Sequence, residues 1–164
     1  MPAYKIFQFD DKKIALIGVT TPETLNSSTP AYFQDDKVNF IYSFNEDATG
    51  KKLYTNIQKT VDTVKKLGVD YVFLVAHLGM NGITPRWSSL AVAQNTQGID
   101  AIIDGHSHEV IPTFITKNKQ GKNVLITQTG TKLQNIGKLT ITPQGKISTE
   151  LINDLTKTNQ KLPT

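Results

Sequence analysis

Hydrophobic and polar residues follow two different periods along the chain. Near the start, apolar and polar side chains alternate over residues 4–9, and a short apolar run follows over residues 13–19. Alternation with a period of two is typical of a strand with one wet face, whereas a short continuous run is typical of a buried strand. With the polar turn at residues 10–12 between them, the two segments predict a β-hairpin.

A helical period appears next, and a second buried strand follows it. Apolar residues recur at spacings of four and three, at Leu53, Ile57, Val61, Val64 and Leu67. This stripe predicts a helix over residues 49–67, which Gly68 would end. The uninterrupted run VDYVFLVA at residues 69–76 then predicts a strand that is covered on both faces, as in a βαβ unit.

The helix–strand cycle repeats once, and the chain then changes to strands. A short helix is predicted from Ser88 to about residue 96, and a buried strand over residues 99–104. Residues 20–48 are predicted to be largely irregular, with a short strand at residues 38–41. Four further strands are predicted at residues 114–116, 124–128, 137–142 and 146–152. The order of elements therefore predicts an α/β domain.

Composition narrows the range of functions only slightly. The 164 residues are enough for one domain, and the net charge of +4 comes from scattered lysines rather than from a basic stretch with interleaved aromatics. We therefore expect no nucleic-acid partner. No apolar run approaches the roughly 20 residues of a membrane span. Because the chain has no cysteine, any metal ion must be held by histidine and oxygen ligands.

All three histidines follow the carboxyl end of a predicted parallel strand. His77 follows the first buried strand, and His106 and His108 follow the second. Open α/β sheets bind ligands at this edge, and strands of consecutive βαβ units usually lie side by side. The pattern predicts a metal centre for an ion of the Zn, Mn, Fe, Co or Ni class. The alternative is that each histidine is an ordinary surface or core residue.

Four segments in order resemble one family. VDYVFLVAHLGMNG at residues 69–82 and GIDAIIDGHSH at residues 98–108 resemble the two C-terminal motifs of the calcineurin-like metallophosphoesterases. KIALIGVTTPET at residues 13–24 and NVLITQTGTKLQNIGKLTIT at residues 123–142 are most similar to the 5′-nucleotidase and 2′,3′-cyclic-nucleotide 2′-phosphodiesterase group. The resemblance extends over nearly the whole chain.

The resemblance implies a fold and a domain division. The expected fold is half of a four-layer α/β/β/α sandwich, with one mixed sheet and helices on one face. Residues 1–153 would be the C-terminal half of a metallophosphoesterase domain, and residues 154–164 a tail. The sheet face that the other half covers in the family would be exposed here, so we expect a homodimer through that face.

The resemblance also implies roles for the three histidines, and the positions of Asn81 and Asp104 beside them suggest roles for two more residues. His77 and His106 would ligate one of two divalent metal ions, and His108 would ligate the other. Asn81 would contact the substrate phosphate, although loop asparagines are common. Asp104 would orient a histidine, or would simply shape the turn at the strand end. The activity implied is hydrolysis of a nucleotide-type phosphoester by metal-activated water.

Several parts of the family site have no counterpart in this sequence. The Asp-x-His motif, the bridging Asp and the Asn-His turn are missing, so no catalytic residue is assigned and the catalytic histidine is expected in the missing N-terminal half. We therefore expect weak or single-metal binding and little or no hydrolysis by this chain alone. The alternative is a stand-alone metal-binding or interaction module. The parent is expected to be secreted, periplasmic or on the cell surface, with its signal outside this sequence.

Overall fold

A computed structural model describes residues 2–153, so the tail predicted at residues 154–164 lies outside the described residues. Two short 3-10 turns, Pro30–Phe33 and Pro85–Trp87, accompany the helices and strands. In chain order the elements are β1 (Tyr4–Phe9), β2 (Lys12–Thr20), α1 (Thr24–Ser27), α2 (Lys51–Lys66), β3 (Tyr71–His77), α3 (Ser89–Asn95), β4 (Ala101–Asp104), β5 (Val110–Lys117), β6 (Asn123–Thr129), β7 (Ile136–Ile141) and β8 (Ile147–Ile152).

Six strands form one mixed sheet in the order β1-β2-β3-β4-β6-β5. The four inner strands β2, β3, β4 and β6 are parallel, and the edge strands β1 and β5 are antiparallel to their neighbours. The predicted mixed sheet is therefore confirmed. Because β3 and β4 pair directly, the two strands that deliver histidines end side by side at the same edge.

The helices pack on one face of this sheet, as predicted. The apolar stripe of α2 is buried against alternate residues of the parallel strands, and α3 joins the same core. The main core residues are Ala15, Ile17, Leu53, Ile57, Val61, Val64, Val72, Leu74, Val92, Ala93, Ile102, Val124 and Ile126. The carboxylate of Asp47 accepts hydrogen bonds from the backbone amides of Thr49, Gly50 and Lys52, which supplies acceptors at the start of α2.

The opposite face of the sheet is only partly covered. Strands β7 and β8 form a separate two-stranded hairpin whose Leu139, Ile141 and Ile147 pack on a second core cluster. That cluster contains Phe73, Ala101 and Leu125. Toward β1 the face remains open, and we call the side chains of Phe7, Phe9, Ile14, Leu16 and Val75 the open sheet face. Phe9 is 59% exposed and Val75 is 47% exposed.

Residues 20–48 contain more structure than the sequence indicates, but the strand predicted at residues 38–41 is wrong. One isolated bridge joins Gln34 to Phe40 instead. The carboxylate of Asp35 accepts from the amides of Lys37 and Asn39, and Val38 has a φ of 65°. An aspartate that binds nearby backbone amides favours a tight turn over an extended strand.

Within residues 2–153, no helix combines the length and the apolar character that crossing a bilayer requires.

Candidate metal centre

The histidines of β3 and of the turn after β4 meet at the carboxyl edge of the sheet. Nδ1 of His106 lies 3.2 Å from Nε2 of His77, and the ring centroids are 4.9 Å apart in an edge-to-face arrangement. The expectation that these two side chains converge is therefore correct. Their proximity follows from the direct pairing of β3 with β4, because each histidine comes at or just after the end of its strand.

The distance between the two nitrogens suits a shared metal ion. Two nitrogens bound side by side on one ion, with bonds of about 2.1 Å, lie about 3.0 to 3.4 Å apart for octahedral to tetrahedral geometry. The observed 3.2 Å falls within this interval. Imidazole nitrogens are also suitable ligands for Zn, Mn, Fe, Co and Ni. The pair of histidines present therefore fits one divalent ion.

A network of buried polar groups holds the turn that carries His106. Gln128 is 1% exposed; its carbonyl oxygen accepts from the amide of Glu109 at 2.7 Å and its amide group donates to the carbonyl of Gly105 at 3.3 Å. The hydroxyl of Ser107 donates to the Glu109 carboxylate at 2.6 Å. His106 and His108 both have left-handed backbone conformations, with φ of 84° and 57°. The network supports this unusual backbone, which costs about 1–2 kcal/mol per non-glycine residue.

The glycines near the histidines have different roles. Gly79 adopts a φ of 79°, which glycine tolerates best, so it allows the sharp turn after β3. Gly105, in contrast, does not have a left-handed backbone conformation. A Cβ at Gly105 would lie 3.4 Å from Nδ1 of His77, so glycine here allows the ring of His77 to approach the strand end.

The side chain of Asp104 is hydrogen-bonded to backbone amides and, within residues 2–153, to no histidine ring. Its Oδ1 accepts from the backbone amides of Leu78 and Gly79, at 2.9 and 3.3 Å. These two hydrogen bonds favour the turn-shaping alternative for Asp104 over a role in supporting an imidazole. The reason is that the side chain of Asp104 lies on the helix side of the sheet, where the amides just beyond His77 are the nearest donors.

Glu23 makes the carboxylate–histidine contact that the sequence analysis does not predict. Its Oε2 lies 2.8 Å from Nε2 of His106, and its Oε1 accepts from the amide of Thr84 at 2.7 Å. Burial alone would raise the pKa of Glu23, but the hydrogen bonds from His106 and Thr84 outweigh burial and lower this pKa. One signal was available in the sequence, because Glu23 follows the carboxyl end of β2 at the same sheet edge as the histidines.

The remaining predicted site residues lie at the surface nearby. Asn81 is exposed and lines a shallow cavity of about 440 Å³ together with His106, Ser107 and Glu109. His108 is exposed, and it makes no hydrogen bond to His77 or His106 in the part of the chain that the structure describes. Among residues 2–153, no cluster of three or more histidine, aspartate or glutamate side chains is arranged to hold a metal ion. The described site is therefore one pair of histidines with a supporting carboxylate.

Proteins of known function are similar in sequence to this chain over most of its length. The NAD 5′-nucleotidase of Haemophilus influenzae is 32% identical over 106 residues, which are 64% of this chain and 14% of that protein. The 5′-nucleotidase of Vibrio vulnificus is 31% identical over 131 residues, or 71% of this chain and 21% of that protein. The chain thus spans about one seventh to one fifth of the length of these relatives. No protein-family model matches the chain.

Solved structures share the fold. A 5′-nucleotidase precursor from Thermus thermophilus superposes with a TM-score of 0.69 at 24% identity, covering 92% of this chain and 29% of that one. The NAD nucleotidase of Haemophilus influenzae has a TM-score of 0.65 at 24% identity, covering 90% and 29%. The sheet and these relatives place the chain among the calcineurin-like metallophosphoesterases. Within that class, it belongs to the 5′-nucleotidase family.

Proposed function

We propose that this chain forms the C-terminal part of a metal-dependent phosphoester hydrolase domain that acts on nucleotides. In this proposal His77 and His106 together hold one divalent metal ion. The observation that carries the proposal is the 3.2 Å separation of Nε2 of His77 and Nδ1 of His106, delivered by two adjacent parallel strands. When bound, divalent ions at such sites polarise phosphoryl oxygens and lower the pKa of bound water.

The other predicted residues keep narrower roles in this proposal. His108, exposed and two residues beyond His106, would serve a second metal ion, because it is hydrogen-bonded to neither histidine of the pair within residues 2–153. Asn81 would contact a substrate phosphate from the rim of the cavity that it shares with His106. The nucleotide class of substrate is supported by the names of the relatives, which are called NAD 5′-nucleotidase and 5′-nucleotidase.

This chain by itself is proposed to bind at most one metal ion, weakly, and to hydrolyse little. A two-metal centre needs a carboxylate between its cations, because two like charges a few ångströms apart repel each other strongly. Within residues 2–153, the carboxylate of Glu23 is hydrogen-bonded to Nε2 of His106. The nitrogen of His106 that faces His77 is the other one, Nδ1. Glu23 therefore supports one ligand and does not bridge two ions.

The second candidate function is a metal-binding or interaction module without hydrolase activity. The observation that favours it is the same limited ligand set within residues 2–153, because two imidazoles can hold an ion but leave most of its coordination positions to solvent. The open sheet face offers an apolar surface for association, and we propose a homodimer through it. The parent protein is proposed to be secreted, periplasmic or on the cell surface, which the description of the Thermus protein as a precursor supports.

Calorimetric titration of the purified chain with Zn²⁺ and Mn²⁺ tests the metal centre. We expect one site that is lost in His77→Ala and in His106→Ala, with His108→Ala leaving the first ion bound. Equal affinity in wild type and His106→Ala would contradict the proposal. In parallel, turnover of a chromogenic phosphodiester with added Mn²⁺ separates the two candidates. Hydrolysis that depends on His106 supports the hydrolase, and binding without hydrolysis supports the module.

A further inference from the structure

We infer that Glu23 is a positioning residue that holds His106 in the tautomer protonated at Nε2, so that Nδ1 stays free for a metal ion shared with His77. This inference rests on the metal centre proposed above and adds a carboxylate to it. The inference is supported by the contacts of the Glu23 side chain, which is buried, with 9% of its surface exposed. Its carboxylate bridges the imidazole of His106 and the backbone amide of Thr84.

The two oxygens of Glu23 have separate donors. Oε1 accepts from the backbone amide of Thr84 at 2.7 Å, and that amide cannot reverse its role. Oε2 lies 2.8 Å from Nε2 of His106, and a carboxylate only accepts hydrogen bonds. Nε2 of a neutral His106 must therefore carry the proton, and its Nδ1 must carry the lone pair.

The lone pair on Nδ1 faces the nitrogen of the second histidine. Nδ1 of His106 lies 3.2 Å from Nε2 of His77. In the metal-free protein, the proton on Nε2 of His77 would fill this gap as a hydrogen bond. Nε2 of His77 would be free for a divalent ion once that ring carries its proton on Nδ1 instead. Both facing nitrogens could then hold the ion, and Glu23 would support the His106 ring at its opposite nitrogen. Carboxylates that bind the distal N–H of metal-bound histidines fix the tautomer and the orientation of the ring.

Replacing Glu23 by glutamine should reverse the tautomer of His106. A glutamine has one accepting oxygen and one donating amide group in place of two acceptors. The amide of Thr84 continues to need the oxygen, because a backbone N–H cannot become an acceptor. The glutamine NH₂ would then face Nε2 of His106, which can accept only if the ring proton moves to Nδ1. A proton on Nδ1 occupies the position that the metal ion requires.

The first measurement is made on metal-free protein. The chain contains three histidines, so single His→Ala variants assign the ring nitrogens in long-range proton–nitrogen NMR spectra at about pH 8. We expect the Nε2-protonated form of His106 in wild type, the Nδ1-protonated form in Glu23→Gln, and a mixture in Glu23→Ala. Glu46→Gln is the matched control, because Glu46 also accepts from a backbone amide, that of Phe44, but has no histidine partner among residues 2–153.

The second measurement is calorimetric titration with Zn²⁺ and the visible absorption of added Co²⁺. We expect Glu23→Gln to lower the affinity by about 10- to 100-fold, the range typical of supporting ligands. Glu46→Gln should bind as wild type does. A cooperative thermal melt of each variant shows whether it is folded.

The outcomes separate this inference from the metal centre itself. A reversed tautomer with weakened metal binding in Glu23→Gln, but not in Glu46→Gln, supports the role of Glu23. An unchanged tautomer of His106, or a reversed tautomer with unchanged affinity, overturns it. If wild type binds no metal ion although its tautomer depends on Glu23, both the proposed centre and the metal-directed role of Glu23 are wrong, and only the hydrogen bond remains. If Glu23→Gln does not fold, Glu23→Ala decides: a mixture of tautomers with weakened metal binding supports the inference, and an unchanged tautomer or an unchanged affinity overturns it. A loss of folding in both variants would make Glu23 a structural residue and overturn the inference.

Discussion

The buried amide side chain of Gln128, on β6, accepts a 2.7 Å hydrogen bond from the backbone amide of Glu109, which follows the histidine turn. The same side chain donates to Gly105, at the start of that turn. One residue of the sheet therefore clamps both ends of the segment that carries His106 and His108. The clamp explains how two histidines stay in left-handed backbone conformations without a glycine at either position.

Removing this clamp should destabilise the protein. Gln128→Leu keeps a side chain of similar size but leaves the amide of Glu109 without its partner, while the carbonyl of Gly105 keeps only its hydrogen bond from the amide of Ser107. An unsatisfied buried group costs about 1–3 kcal/mol, so we expect the free energy of unfolding in urea to fall by about that amount or more. Gln120→Leu, at an exposed position, is the control and should change stability by less than about 0.5 kcal/mol. Equal stability of the two variants would contradict the clamp.

Asp104 should act through hydrogen bonding and not through its charge. Asn keeps one oxygen that can accept from Leu78 and Gly79, whereas Ala removes the acceptor altogether. We expect Asp104→Ala to lower the free energy of unfolding by about 2 kcal/mol, with a smaller loss for Asp104→Asn. Urea denaturation of both variants measures the difference. A larger loss in Asp104→Asn than in Asp104→Ala would show that the charge itself is needed.

Much of the fold can be predicted from the sequence because local patterns determine it. The stripe of α2 and the apolar runs of β3 and β4 identify these elements directly, and direct pairing of consecutive parallel strands then brings His77 to His106. The partnership of Glu23 with His106 could not be predicted this way. It joins residues 83 positions apart and depends on the path of the irregular segment after β2.

Both strands of the β7–β8 hairpin are predicted from the sequence, but their separation from the main sheet is not, for a related reason. The local sequence of each strand makes its existence predictable, but it does not say which sheet the strand joins. The choice depends on packing of Leu139 and Ile141 on Phe73, which is a contact between distant parts of the chain. The hydrogen bonds of Asp104 to the backbone amides of Leu78 and Gly79, rather than to a histidine ring, likewise depend on contacts between distant parts of the chain.

Substitution by alanine should change the stability of the protein differently at Gly79 and at Gly18. Gly79 has a φ of 79°, and its added Cβ would meet Gly82 and Ser107 at 3.3 Å, whereas an added Cβ at Gly18 would meet nothing within 4 Å. We expect Gly79→Ala to lower the free energy of unfolding by about 1–2 kcal/mol. Gly18→Ala should be neutral or stabilising by about 0.4–1 kcal/mol, because it restricts the unfolded chain. Thermal unfolding of the two variants tests this order, which the reverse ranking would contradict.

The pKa of Asp100 predicts a dependence of stability on pH. Burial raises this pKa, and the hydrogen bond from the amide of Val72 and the charge of Lys65 only partly oppose the effect. A carboxyl whose pKa is higher in the folded state binds its proton more tightly there. Its contribution to stability is therefore greatest below the unfolded pKa of about 3.9 and is lost as the pH rises through the folded value.

Asp100→Asn should remove this dependence. The asparagine oxygen can still accept from Val72, so we expect the variant to be more stable than wild type at pH 7, by about 1 kcal/mol or less because the side chain is one-third exposed. The difference should shrink as the pH falls and vanish below the unfolded pKa of about 3.9, where Asp100 is protonated in both the folded and the unfolded state. Urea denaturation of both proteins across this interval measures it. A variant that is less stable than wild type at pH 7 would show that the ion pair with Lys65 outweighs burial.

Association through the open sheet face should depend on its apolar side chains. Phe9 and Val75 expose large apolar areas on a face that the β7–β8 hairpin leaves uncovered. A dimer that buries them would lose its driving force if charge were introduced, because a charge cannot be buried there without a partner. We expect wild type to be dimeric by light scattering after size exclusion, and Val75→Glu to be monomeric. Tyr32→Glu, at a residue that is 78% exposed outside this face, should leave the dimer intact. A monomeric wild type, or a Val75→Glu variant that remains dimeric, would show that this face does not mediate self-association.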